Sequence, residues 1–63
     1  MWTVIYISNT RQDADNIKEV LVAEGFLIKI KPINENDKKG ACEILVPRAE
    51  AEECHSALFS LGL

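Results

Sequence analysis

Several things are scarce in this chain, and each shortage narrows what it can be. It holds two cysteines, fewer than a small secreted domain uses to staple a thin core, so reduced thiols and a cytoplasmic setting are expected. No apolar run approaches the ~20 residues that a membrane span needs. The opening residues, Met-Trp-Thr-Val-Ile-Tyr, carry no basic region and no small-residue cleavage site, so they are not read as a secretory signal. Positive charge is in the minority: seven Lys and Arg stand against ten Asp and Glu, for a net charge of −3. Nucleic-acid binders and polybasic membrane anchors need a basic face to meet phosphate, so neither nucleic acid nor membrane is an expected partner. There are three glycines and no Gly-rich phosphate loop. With 63 residues there is no room for a Rossmann or PLP-binding domain, and no cofactor is expected.

What is present has a globular balance, 48% hydrophobic and 27% charged. Residues 1–63 read as one small domain, which buries only ~60% of the surface its unfolded chain exposes. Residues 2–8 (WTVIYIS) are β-branched and aromatic and suit a strand. Thr10 reads as a helix cap, with Asp13 three residues on, and Ala14, Ile17, Val20 and Leu21 recur at helical spacing, so a helix is expected over 13–24. Gly25 falls where a helix end favours a left-handed residue. Residues 26–33 alternate, with Phe26, Ile28 and Ile30 on one side and Leu27, Lys29 and Lys31 on the other. Pro32 suits an edge, and Asn34 to Gly40 (NENDKKG) is a turn region. Residues 41–46 form a third strand. Pro47 suits a helix's first turn, and Ala51, Cys54, Leu58 and Leu61 make the stripe of a last helix, ended by Gly62.

The order β-α-β-β-α pairs the second and third strands as a hairpin, which puts Lys31 opposite Glu43. A right-handed crossover leaves room for the third strand between the other two. The expected fold is α+β, a truncated ferredoxin-like arrangement with an antiparallel sheet of order 1-3-2 and both helices on one face. Ile5, Ile7, Ile28, Ile30, Cys42, Ile44 and Val46 would lie under the helices. Trp2, Val4, Tyr6, Leu27 and Leu45, with Lys29, Lys31, Ala41 and Glu43, would line an open face. Contiguous apolar patches on small domains mark partners, and the missing fourth strand leaves the first strand as an open edge. A homodimer is therefore expected, with Trp2, Val4, Tyr6, Leu27 and Leu45 as its interface.

Candidate chemistry is sparse. Ile5-Tyr6-Ile7-Ser8-Asn9 and Lys39-Gly40 resemble the strand signatures of RNA-recognition motifs. Ala41 and Glu43 stand where that family places aromatics, so the resemblance implies no stacking platform. Cys42, Cys54 and His55 match no zinc spacing, and the cysteines fall on inward positions, so no metal site is expected. A metal or thiol-redox role for Cys42 and Cys54 is the third reading. Ser8, Asn9, Thr10 and Arg11 at the first helix start could hold a small anion, though a cap and a solvated Arg explain them as well. No nucleophile–base pair is legible, so the chain is not read as an enzyme.

The whole chain, through MWTVIYI, the helix closing on AEGF, and ACEILVP leading into an acidic last helix, resembles a family of very short prokaryotic proteins described as signal-transducing. That family is related to the ferredoxin-like PII and ACT regulatory folds. The resemblance implies a bacterial source and a regulatory or adaptor module, acting on a protein partner or binding a small effector. It carries no catalytic motif. The chain departs from PII and ACT in lacking the fourth strand and the long docking loop. The main expectation is a non-enzymatic, homodimeric regulatory or adaptor module, and the second is a protein that binds a small anion or amino-acid effector.

Overall fold

A computed structural model of the chain describes all residues, 1–63. Strand β1 spans Trp2–Ser8, helix α1 Arg11–Ala23, strand β2 Lys29–Pro32, strand β3 Cys42–Pro47 and helix α2 Ala51–Ser60. A 3-10 turn, Arg48–Glu50, leads into α2. The sheet runs β1-β3-β2, and β3 is antiparallel to both neighbours. This is the expected α+β, truncated ferredoxin-like architecture. Lys31 does lie opposite Glu43.

Local chemistry sets the ends of α1. Thr10 is extended at φ −138°, ψ 161°, and its Oγ1 accepts from the Asp13 N–H at 3.1 Å. A cap of this kind is worth about 1 kcal/mol. The helix therefore starts at Arg11, two residues before the expected start at Asp13. At the other end Gly25 takes φ +96°, the Phe26 N–H reaches the Leu21 carbonyl at 3.1 Å, and the Gly25 N–H reaches Val22 at 3.0 Å. That pair of bonds is a Schellman closure, accompanied by Phe26 packing on the core. Helix α2 ends the same way: Gly62 is at φ +82°, and Leu63 bonds back to the Leu58 carbonyl at 2.9 Å.

The core lies between the helices and one sheet face. Ala14, Ile17 and Leu21 of α1 and Cys54 and Leu58 of α2 meet Ile5, Ile28, Cys42, Ile44 and Val46. Cys42, Ile44 and Val46 are fully buried, because β3 is the central strand and its inward side chains have neighbours on every side.

Four expectations change. Strand β2 starts at Lys29 rather than Phe26, because the Phe26 N–H closes α1 instead of joining the ladder. Strand β3 starts at Cys42 and runs through Pro47, since Ala41 lies just outside the ladder, its carbonyl taking the Ile33 N–H at 3.0 Å. Pro47 does not start the helix: it pairs with Trp2 and precedes the 3-10 turn. The fourth change lies in β1. Val4 pairs with Leu45 and Tyr6 with Ile44, so two residues, Ile5 and Tyr6, oppose one on β3. This bulge turns Ile5 and Tyr6 both toward the helices and shifts the phase of everything after them. Ser8 is buried and Ile7 is turned out.

Candidate functional site

The open face is built in rows by the ladder. Trp2 stands beside Pro47, Val4 beside Leu45 and Lys29, and Ile7 beside Glu43 and Lys31. Trp2 and Val4 are each 39% exposed and Ile7 is 56% exposed. The β1 column is apolar, the β2 column is basic, and β3 between them is mixed. Lys29 crosses the middle strand, and its Nζ lies 5.4 Å from the centre of the Trp2 ring. That is cation–π range, and the lysine stem covers part of the face as it passes.

Besides Ala41, which lies outside the ladder, two residues expected on this face are placed differently. Tyr6 packs against the core on the helix side, because the bulge reverses its direction, and Ile7 takes the outward position. Leu27 is exposed but lies before β2 begins, outside the ladder. Trp2, Val4 and Leu45 are brought together as expected. Sequence reasoning did not find Ile7, Pro47 or the Lys29–Trp2 contact.

Both sheet edges carry features that resist strand addition. The bulge interrupts β1 in its middle, and β2 carries Lys29, Lys31 and Pro32. A partner strand running along β1 would lose register at Ile5. A partner packed on the side of the sheet away from the helices needs no continuous edge ladder.

Known proteins offer no guide at this point. No family model, no curated protein and no solved structure matches the chain.

At the start of α1 the candidate anion residues are committed to local bonds. Ser8 is buried and its Oγ donates to the Thr10 carbonyl at 2.9 Å, with the Cys42 carbonyl 3.5 Å away. The Thr10 hydroxyl is the helix cap. Arg11 turns along the helix to Asp15, Nε to Oδ1 2.9 Å, a bond that raises the guanidinium's already high pKa. The Arg11 N–H, which an anion would use, donates to the Lys39 carbonyl at 3.0 Å. That contact ties the loop between β2 and β3 to the start of α1. Asn9 alone of the four keeps its side chain free of protein hydrogen bonds.

Cys42 and Cys54 are buried free thiols. The Cys42 Sγ lies 3.4 Å from the Gly40 carbonyl. Burial pushes the Cys54 thiol pKa up, and the negative charge of Glu50 adds to the shift. Both effects disfavour the thiolate, which is the reactive form. His55, next in sequence to Cys54, is exposed. No three His, Cys, Asp or Glu side chains gather as a metal cluster would require, and no helix is long and apolar enough to cross a membrane.

Proposed function

We propose that the chain is a non-enzymatic regulatory or adaptor module that works as a homodimer, with a second copy packed on the open sheet face. The observation that carries this reading is the contiguous apolar column Trp2, Val4 and Ile7, flanked by Leu45 and Pro47, on the one side of the sheet that no helix covers. Small domains with thin cores commonly complete them by association. The face is preferred to the β1 edge because the bulge breaks the edge ladder, which packing on the face does not use. The burial of both thiols, the raised pKa of Cys54, and the locally satisfied Ser8, Thr10 and Arg11 favour this reading over redox and anion-binding ones. The regulatory part of this reading rests on the sequence resemblance alone.

Trp2 is the only tryptophan and belongs to the proposed interface, so it reports directly. On serial dilution, a dimer that covers the face should release Trp2 to acrylamide quenching in step with a fall in sedimentation coefficient. Quenching that stays constant while mass falls would place the interface elsewhere.

A further inference from the structure

The two helices lie on the same sheet face but leave a groove between α1 and the end of α2. One end of it is apolar, walled by Ile17, Val20, Leu61 and Leu63. The positive φ of Gly62 folds Leu63 back onto Leu58, which sets this wall. The groove continues past Ile17, Asn16 and Leu63 to a polar end formed by Tyr6, Asn9 and Asp13. There the Tyr6 hydroxyl, the Asn9 and Asn16 amides and the Asp13 carboxylate make no hydrogen bond within the chain. Asp13 is the only charged side chain lining the groove. Asn16 and Ile17 each lie three or four residues from both Asp13 and Val20, so the four share one side of α1 and the groove follows the helix axis for about 10 Å.

We propose that this groove is a binding site for a small primary aliphatic amine. An ammonium head carries three donors and no acceptor. Asp13 supplies the opposite charge, and the Asn9, Asn16 and Tyr6 oxygens supply further acceptors. An alkyl chain of about six carbons matches the length from Asp13 to Val20 and lies against Ile17, Val20 and Leu63. A carboxylate head meets repulsion from Asp13 and finds no cation. The groove lies on the helix side of the sheet and meets the proposed dimer face only at Ile7, which lines its polar end.

The test is a titration of the ¹⁵N-labelled chain, followed by amide chemical shifts, with hexylammonium chloride, hexan-1-ol and sodium hexanoate at one pH and ionic strength. Hexylammonium is expected to give saturable shifts at Asn9, Asp13, Asn16, Ile17 and Val20. It should bind about two- to five-fold more tightly than hexanol, the range for an exposed charge pair, and hexanoate should bind most weakly. Asp13→Asn should bring amine and alcohol to equal affinity; the Thr10 cap survives because it uses the Asp13 backbone N–H. Val20→Gln, at the exposed apolar end, should weaken both, and the spectra show directly whether each variant is folded. Shifts that fail to saturate or lie outside the groove, hexanol or hexanoate binding as tightly as the amine, or an amine preference that persists in Asp13→Asn would each overturn the proposal.

Discussion

The two faces of one three-stranded sheet both carry apolar residues from β1 and β3 and end in different states. Under the helices Cys42, Ile44 and Val46 are sealed from water. On the other side their sequence neighbours Glu43, Leu45 and Pro47 are only half-buried, and Trp2, Val4 and Ile7 beside them stay open. Adjacent residues of β3 therefore sit in different solvents. The difference comes from what lies above each face, two amphipathic helices on one and a single crossing lysine on the other. For the apolar residues, what lies above each face decides which side holds the fold together and which is left for a partner.

The sharpest way to test this contrast is to remove the same kind of mass from each face. Ile44→Ala leaves a cavity at the centre of the core and should cost about 2–5 kcal/mol. That is comparable to the whole stability expected of so small a domain, so urea denaturation should find the variant largely unfolded. Val4→Ala on the open face should cost under about 1 kcal/mol in dilute protein. Equal losses would mean that the faces are not distinct.

Next in size is Gly25→Ala. A side chain there meets no atoms within 4 Å, but φ +96° places it in the left-handed region. The expected loss is about 1–2 kcal/mol from backbone strain alone, measured by thermal unfolding.

The core face also predicts a pH dependence. The folded state holds the Cys54 proton more tightly than the unfolded chain, whose thiol titrates near ~8.5. This contribution is complete below that value and is lost as pH rises from there through the raised folded pKa. Stability measured between neutral and alkaline pH should fall, and Cys54→Ala should flatten that part of the slope. Smallest of all is Lys29→Met, which keeps the stem but removes the charge over Trp2. It should cost about 0.5–1 kcal/mol or less and leave Trp2 more open to quenching.

Much of the fold was legible because its signals are local and agree with one another. Thr10 with Asp13, Gly25 after an apolar periodic run, and a polar turn between two alternating segments each have one simple reading, and together they force order 1-3-2. The face assignment of β1 was legible only as far as Ile5. Alternation cannot reveal a bulge inside Ile5-Tyr6-Ile7, where every residue is apolar and either phase looks acceptable. Only the structure reveals it: Ser8 follows Ile5 by three and both are buried, which an unbroken strand forbids. The four residues at the start of α1 looked like an anion cradle because a cap and a binding loop use the same residue types. Only the bonds to Asp13, Asp15, Thr10 and Lys39 tell them apart.

The most direct test of the open face is sedimentation velocity over a wide concentration range, run on the wild-type chain and on Val4→Lys. Val4 faces Leu45 at the middle of the apolar column, away from the core and from both helix ends. The expected result is a wild-type dimer that dissociates on dilution and a variant that is folded and monomeric at every concentration. A wild-type chain that stays monomeric throughout, or a Val4→Lys variant that dimerises like the wild type, would contradict the assignment of this face to a second copy.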